Sequence, residues 1–229
     1  MTTTNDKAIV KEYFNATGFD RWRRIYGETE DVNKVQKDIR IGHQQTIDTV
    51  IDWLKADDNL GQISVCDAGC GVGSLSIPLA QAGATVSASD ISEKMVSEAQ
   101  EKAQEILKDT SKISFETLDL ESLSGSYHSV ICLDVLIHYP TEDAAKMISH
   151  LASLAESRLI LSFAPKTLGL TVLKKIGEFF PGPSKTTRAY QHKENDIISI
   201  LLDNGFHIDR KGMTSTSFYY SRIIEAVRD

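Results

Sequence analysis

Three glycines alternate with other residues in the segment Asp-Ala-Gly-Cys-Gly-Val-Gly, residues 67–73, directly after a short apolar run. Glycine is needed where the backbone turns sharply and where a ligand must approach the chain without meeting a Cβ atom. A dinucleotide-binding loop has the spacing G-x-G-x-x-G, but this chain carries Ser74 where the third glycine of that pattern would fall. Asp67 suits a ligand with an ammonium group and would be poorly placed beside a pyrophosphate. The segment therefore predicts a loop for a cationic ligand and disfavours a nicotinamide dinucleotide.

Acidic residues follow three further short apolar runs along the chain. Asp90 ends the second run, Asp119-Leu120 follows the third, and Asp134 follows the fourth. A carboxylate about 20 residues after a glycine loop can accept hydrogen bonds from both hydroxyls of a ribose. His138 lies shortly after Asp134. Because doubly wound sheets bind ligands at the carboxyl ends of their strands, these groups are predicted to converge on one site.

The elements that would position these residues are predicted from short apolar runs that alternate with longer amphipathic ones over residues 62–163. Strands that alternate with helices pair in parallel through right-handed crossovers and form a doubly wound sheet. The chain is predicted to end in a helix and two strands, which add an antiparallel edge. We therefore predict an α/β, Rossmann-like fold with a mostly parallel seven-stranded sheet. The predicted strands are 63–66, 85–89, 113–117, 127–133, 158–163, 205–208 and 217–227, and the predicted helices between them are 74–82, 92–107 (with Ser92 as N-cap), 143–154 and 194–204.

Composition limits the class of protein. The length of 229 residues fits one α/β domain with an added cap, and the net charge of -7 argues against a general nucleic-acid binder. No apolar run approaches the ~18–20 residues that span a bilayer, and the first residues do not follow the pattern of a signal peptide. Three cysteines give no even disulfide framework, and Cys66 and Cys70 are interpreted as small buried residues rather than metal ligands. We expect a cytoplasmic protein.

Two segments lie outside this predicted sheet. Residues 1–58, with apolar residues at helical spacing, are interpreted as an N-terminal helical lid or substrate segment, and residues 59–229 as the core domain. Within the core domain, residues 166–193 carry six basic residues and one acid, a net charge of +5, together with many apolar residues. This composition suits a cap for a flat, hydrophobic molecule with two carboxylates. It would equally suit an anionic membrane surface or a surface helix whose apolar face lies in the core.

The glycine segment resembles the D-x-G-x-G-x-G signature of class I S-adenosylmethionine-dependent methyltransferases. Longer segments resemble the magnesium-protoporphyrin IX O-methyltransferases of chlorophyll biosynthesis, and the resemblance covers nearly the whole chain. The segments that carry it are Tyr13-Phe14, 18–27, 32–43, 162–167 and 188–192.

The resemblance implies transfer of a methyl group from S-adenosylmethionine to a propionate carboxylate of magnesium protoporphyrin IX, which leaves the monomethyl ester and S-adenosylhomocysteine. In such a protein the side chain of Asp119 and the backbone of Leu120 would face the adenine edge, and Asp134 would lie near the methyl donor. The full set of expected cofactor residues is Asp67, Gly69, Gly71, Gly73, Asp90, Ile91, Met95, Asp119, Leu120 and Asp134. Magnesium would belong to the porphyrin, since no group of carboxylates in the sequence suggests a site for a free ion.

Two residues are candidates for catalysis. His138 follows the fourth predicted strand and could hydrogen-bond the acceptor carboxylate or remove a residual proton from it; alternatively, it caps the following helix. Tyr26 could close over the cofactor or the carboxylate from the other side; alternatively, it packs in the core. His43 and His192 are weaker candidates, and the structural interpretation is preferred for both.

The resemblance also implies partners. The large, porphyrin-binding subunit of magnesium chelatase would hand over the poorly soluble substrate, and the protein would associate loosely with thylakoid or envelope membranes. Three other hypotheses for the function remain open: an O-methyltransferase of another small carboxylate or phenol, a nicotinamide-dependent oxidoreductase, and a tetrapyrrole carrier or regulatory module without turnover.

Overall fold

The chain is described from a computed structural model, which covers residues 3–27, 32–57, 59–166 and 190–228. Its centre is one seven-stranded sheet with the strand order β3-β2-β1-β4-β5-β7-β6. The first five strands are parallel, and β7 pairs antiparallel with both β5 and β6. The predicted fold class, a mostly parallel sheet with an antiparallel edge, is therefore confirmed. The strands are β1 Ser64–Ala68, β2 Thr85–Asp90, β3 Ile113–Thr117, β4 Tyr127–Cys132, β5 Ala155–Phe163, β6 His207–Ser215 and β7 Tyr220–Val227.

Helices cover both faces of the sheet, and this explains why the central strands carry apolar residues on both sides. Neighbouring residues of β4 show the division, because Val130 contributes to one hydrophobic core and Ile131 to the other. One core contains residues of α3 and α4, and the opposite core contains residues of α6 and α7. Parallel strands that are buried on both sides read as continuous apolar runs. The helices are α1 Thr3–Asn15, α2 Thr17–Tyr26, α3 Lys34–Asp57, α4 Ser76–Gln81, α5 Glu93–Ile106, α6 Thr141–Leu154 and α7 Glu194–Asp203.

Local sequence signals give most element boundaries to within three residues. The strand predicted over 113–117 has those bounds as β3. Ser92 is the N-cap of α5, because its Oγ accepts a hydrogen bond from Met95 N at 3.3 Å. The helix predicted from Ser74 begins two residues later, at Ser76, since the glycine loop continues to Gly73 in a left-handed conformation (φ 80°).

The strand predicted over 205–208 is wrong in its extent, because β6 runs from His207 to Ser215. Charged residues in this edge strand conceal its alternation. Arg210 lies 5.6 Å from the centre of the Trp53 ring of α3 and forms an ion pair of 2.6 Å with the buried Glu225 of β7. One face of β6 thus packs against α3 through an arginine guanidinium over an aromatic ring rather than through an apolar side chain.

The described parts of residues 1–58 are largely helical, as predicted. Within them α3 packs firmly into the core, since Ile47, Val50 and Leu54 are at most 1% exposed. The predicted role as a lid or substrate segment is untested. The predicted cap over 166–193 falls mainly on residues 167–189, which lie outside the described residues. None of the described helices has the length and apolar character required to cross a membrane.

Candidate active site

The glycine loop turns the chain away from the end of β1 and over the sheet edge. The amides of Gly69 and Cys70 both donate to the carbonyl oxygen of Ser89 in β2, at 2.8 Å each. Gly71 has a φ of 53°, and a Cβ atom added there would meet no protein atom within 4 Å. The loop is thus fixed to the neighbouring strand while its middle glycine borders open space, as a ligand-binding turn requires.

That open space belongs to a cavity at this edge of the sheet, which is partly open to solvent. It brings together residues from the N-terminal helices, the glycine loop and the ends of β2 and β4. Nine of the twelve residues predicted from the sequence line it: Tyr26, Gly69, Gly71, Asp90, Ile91, Met95, Leu120, Asp134 and His138. The other three, Asp67, Gly73 and Asp119, do not line it.

Asp90 ends β2 with both carboxylate oxygens anchored to the backbone. Oδ2 accepts from Gly71 N at 3.0 Å, and Oδ1 accepts from Ser92 N at 2.8 Å. Burial raises the pKa of Asp90, although these hydrogen bonds oppose the rise. Each oxygen of a carboxylate can accept a further hydrogen bond. Asp90 therefore has the capacity for the two ribose hydroxyls that the sequence predicted there.

Asp67 lies behind the glycine loop rather than in the cavity wall. It is 2% exposed, and Ser76 Oγ of α4 donates a short hydrogen bond to its Oδ2. Burial raises the pKa of Asp67 to about 6, against the opposing effect of this hydrogen bond. The carboxylate therefore carries most of its charge at pH 7, so that it can attract a cationic ligand without direct contact.

We expect Asp67→Asn to weaken binding of S-adenosylmethionine by about tenfold at pH 8, because one charge pair in a partly buried site contributes on the order of 1–2 kcal/mol. S-adenosylhomocysteine, which lacks the sulfonium charge, should lose less. In the wild type the affinity for S-adenosylmethionine should fall as the pH drops through 6, since protonation of Asp67 removes the attracting charge. Calorimetric titration of both ligands between pH 5 and 8 measures this. An Asp67→Asn variant with the same pH dependence as the wild type would contradict it.

Asp119 uses its side chain within its own loop. Its Oδ1 accepts from the amides of Glu121 and Ser122 at 3.0 Å each, which caps the 3-10 turn over Leu120–Ser122. Lys7 of α1 lies 3.5 Å from its other oxygen. Leu120 does line the cavity. The predicted contact of the Asp119 side chain with adenine stays a prediction, and the structure assigns that side chain to capping and to contact with the N-terminal helix.

His138 ends a 3-10 turn over Leu136–His138 and lines the cavity. Its Nδ1 is buried and has no hydrogen-bond partner among the described residues. Burial lowers the pKa of His138 to about 4, so that the ring is neutral at pH 7. The alternative in which His138 caps the next helix does not hold, because Pro140 is the N-cap of α6 and no side chain caps that end. A buried imidazole nitrogen without a partner calls for an explanation, and a hydrogen bond to a bound ligand would supply one.

Aromatic rings from the N-terminal helices cover the cavity and contact His138 at one end. Phe14 of α1 meets the His138 ring edge to face, with the ring centres 5.3 Å apart. Phe14 also lies 6.3 Å from Trp22 of α2, and Trp22 stacks on Tyr26 at 5.2 Å. Burial raises the pKa of Tyr26 well above its usual range. Its hydroxyl therefore stays protonated at neutral pH and can donate a hydrogen bond.

Asp134 has a structural role that the sequence did not reveal. It has a φ of 58°, which is uncommon for a residue with a side chain. Its carboxylate lies 2.9 Å from His43 Nδ1, 2.7 Å from the Tyr219 hydroxyl and 3.0 Å from Ser162 Oγ. These contacts join α3, β5 and the loop between β6 and β7.

His43, which the sequence suggested to be structural, also lines the cavity. His192 fits its predicted structural role, since it is fully buried with Nε2 2.9 Å from the carbonyl oxygen of Leu136.

Among the described residues, one group of acids lies close enough to hold a metal ion: Asp57, Asp209 and Glu225. Two arginines already form ion pairs with these acids. Arg158 is 2.6 Å from Glu225 and 3.1 Å from Asp57, and Arg210 forms ion pairs with all three acids. Glu225 pairs with Ile160 in the middle of β5, and none of the three acids lines the cavity. We interpret the group as a structural ion-pair network.

The strand order, the glycine loop after β1 and the acidic residues at the following strand ends define a class I, S-adenosylmethionine-dependent methyltransferase fold. A sequence model of the methyltransferase domain matches residues 65–157. A second model, described as the C-terminus of magnesium-protoporphyrin IX methyltransferase, matches residues 132–228.

The chain belongs to the magnesium-protoporphyrin IX methyltransferase family. It is 74% identical, over 98% of its length and 97% of the relative's, to magnesium-protoporphyrin O-methyltransferase of Synechocystis. It is 60% identical to the chloroplastic magnesium protoporphyrin IX methyltransferase of Arabidopsis thaliana, over 97% of this chain and 71% of that one. The crystal structure of the Synechocystis enzyme with bound SAH matches at a TM-score of 0.91, with 72% identity over 97% of this chain and 100% of that chain. The family resemblance recognised in the sequence is therefore confirmed.

Proposed function

We propose that this chain transfers the methyl group of S-adenosylmethionine to a propionate carboxylate of magnesium protoporphyrin IX and releases the monomethyl ester and S-adenosylhomocysteine. The observation that carries the proposal is the one cavity that the glycine loop, Asp90 and His138 line together. Membership of the family, whose relatives bear the name of this reaction, specifies the acceptor.

The residues of the cavity fit an adenosyl cofactor. A side chain at Gly71 would occupy the open space at the loop, which is the space that a ligand needs. Asp90 has two carboxylate oxygens with spare accepting capacity for ribose hydroxyls. Ile91, Met95 and Leu120 supply apolar surface for a flat base. When bound, S-adenosylmethionine supplies an electrophilic methyl group, whose bond to sulfur breaks as the ester bond forms.

The protein does not need to provide a strong base. A propionate has a pKa near that of a glutamate, about 4.3, and is ionised at neutral pH. His138 is neutral in the same range because burial lowers its pKa to about 4. We assign it the task of orienting the acceptor carboxylate by a hydrogen bond rather than removing a proton. Tyr26, with its hydroxyl protonated, is assigned to hold the carboxylate from the side of the N-terminal helices. The aromatic rings of α1 and α2 exclude water, which favours a reaction in which opposite charges disappear.

Incubation of the purified protein with methyl-labelled S-adenosylmethionine and magnesium protoporphyrin IX, followed by mass spectrometry, tests the proposal. The expected product is a labelled porphyrin monomethyl ester. Two parallel reactions, one with a small carboxylic acid or phenol and one with metal-free protoporphyrin, compare the other acceptors. Faster methylation of the small acceptor would support the alternative O-methyltransferase. Porphyrin binding with no ester formed would support a carrier.

We further propose that the substrate arrives from the large subunit of magnesium chelatase and that any membrane contact is peripheral. Family membership supports the first statement, since the substrate is poorly soluble and benefits from direct transfer. The Arabidopsis relative is named as chloroplastic, the compartment in which such membranes occur in plants. Size-exclusion chromatography of the protein with that subunit, loaded with porphyrin or empty, measures the contact. Separate elution in both states would refute the handover.

A further inference from the structure

We propose that His43, held by Asp134, is a positioning residue for Tyr26. The role deepens the proposed function, on which it rests. Neither residue is adjacent to Tyr26 in the sequence, yet α3 places His43 against the tyrosine ring and against the end of β4 at once. The contacts of His43, Asp134 and Arg40 carry the inference.

Asp134 determines the orientation of the His43 imidazole. Burial alone would raise the pKa of Asp134, but hydrogen bonds from His43, Tyr219 and Ser162 outweigh it and lower the pKa. The carboxylate is therefore ionised at neutral pH and can only accept hydrogen bonds. His43 Nδ1, at 2.9 Å, must then be the donor. This hydrogen bond leaves the imidazole one orientation in which its face meets Tyr26.

The strain at Asp134 supports a functional reason for this arrangement. A left-handed conformation costs a residue with a side chain on the order of 1 kcal/mol or more, and such residues concentrate at active sites. Here the conformation is held by Ser162 Oγ, which accepts from Asp134 N at 2.8 Å and donates to its Oδ1 at 3.0 Å. The same side chain is thereby presented to His43.

Two residues of α3 fix the end of α2, where Tyr26 is the last helical residue. Arg40 donates to the carbonyl oxygens of Ile25 at 2.8 Å and Arg24 at 2.6 Å. These are carbonyl groups that a helix end leaves without partners. His43, three residues further along α3, packs its ring against Tyr26 with the centres 4.3 Å apart. Arg40 thus fixes the backbone of this helix end, and His43 fixes the tyrosine side chain.

A double-mutant cycle on turnover tests whether His43 acts through Tyr26. His43→Phe keeps a ring against Tyr26 but cannot donate to Asp134. We expect kcat to fall about tenfold with the KM for S-adenosylmethionine changed less than about twofold. If the effect passes through Tyr26, adding His43→Phe to Tyr26→Phe should cost almost nothing further. The proposal would be overturned if kcat in the double variant fell by the product of the factors measured in the two single variants.

Two further variants provide a second test and a control. Asp134→Asn removes the charge, and asparagine tolerates the left-handed backbone at this position. Adding Asp134→Asn to Tyr26→Phe should likewise lower kcat almost no further. Gln45→Ala, on an exposed position of α3, should leave turnover unchanged. If His43→Phe fails to fold, the Asp134→Asn cycle decides, and independent effects in that cycle overturn the proposal.

A spectroscopic readout separates this inference from the proposed function. The chain has two tryptophans, so that Trp53→Phe leaves Trp22, stacked on Tyr26, as the sole tryptophan emitter. In that background we expect His43→Ala to shift Trp22 emission to longer wavelength and to increase its quenching by acrylamide. Since no porphyrin is present, the result stands even if magnesium protoporphyrin is not the acceptor. Unchanged emission and quenching would overturn the positioning role by itself.

Discussion

Replacing Gly71 with alanine is expected to remove most of the affinity for S-adenosylmethionine with little loss of fold. The new methyl group would enter the cavity, where no protein atom lies within 4 Å to oppose it. The steric conflict would therefore arise only with a ligand. Overpacking of this kind costs about 1–3 kcal/mol, which corresponds to about a 5- to 150-fold weaker binding. Calorimetric titration with S-adenosylhomocysteine measures the loss directly.

Gly205 provides a matched control for this experiment. It has a φ of 80°, and a Cβ atom there would also meet nothing within 4 Å. Gly205 follows the end of α7, away from the residues that line the cavity. Gly205→Ala and Gly71→Ala should therefore lose similar stability, about 1 kcal/mol in urea unfolding, because both force alanine into a left-handed conformation. Only Gly71→Ala should lose affinity. Equal affinity in the two variants would show that the cofactor does not approach this loop.

The features that could be predicted from the sequence are those encoded by neighbouring residues. The glycine loop, Ser92 as a helix cap and the bounds of β3 each depend on a few adjacent side chains. The ligand site followed because the parallel strands place their carboxyl ends along one edge of the sheet. Asp90 and His138 reached the cavity for this reason.

The features that could not be predicted depend on residues far apart in the chain. His43 and Asp134 are separated by 91 positions, and Asp134 and Tyr219 by 85. No local pattern of residues predicts such a pair, and the residues around His43 indicate only a polar position on an amphipathic helix. Asp67 is a different case, since its partner Ser76 is only nine positions away: the motif predicts a ligand contact, but the side chain bonds to the helix that follows the loop. That a residue directly follows a strand predicts which part of the fold its side chain lies in, but it does not predict which group the side chain bonds to.

Replacing His138 with phenylalanine is expected to lower kcat about 100-fold while the affinity for the cofactor changes less than about twofold. Phenylalanine keeps the ring contact with Phe14 and removes the buried nitrogen that has no protein partner. Steady-state kinetics with a parallel titration of S-adenosylhomocysteine separates the two effects. Turnover at the wild-type rate would exclude His138 from the reaction.

The pH dependence of the wild type distinguishes a neutral, buried His138 from one that titrates with an ordinary histidine pKa. A general base with an ordinary histidine pKa of about 6.5 would lose activity as the pH falls through that value. Burial lowers the pKa of His138 to about 4, so kcat at saturating substrate should not fall on account of His138 between pH 8 and 6. Stability should respond instead. Between pH 6.5 and 4 the unfolded chain binds a proton at His138 that the folded protein does not bind, so His138 contributes a decrease in the free energy of unfolding as the pH is lowered through this window. Asp67, whose pKa burial raises, contributes in the opposite direction.

The slope of that fall is a property of the folded environment of His138 and can be measured without substrate. His192, whose pKa burial also lowers, contributes in the same direction, so the comparison must be made between variants. His138→Phe should show a shallower decline in the free energy of unfolding between pH 6.5 and 4 than the wild type does, by urea unfolding at each pH. Equal slopes would mean that His138 titrates normally in the folded protein. The imidazole would then be solvated, and its assignment as a neutral, water-shielded partner of the acceptor carboxylate would be lost.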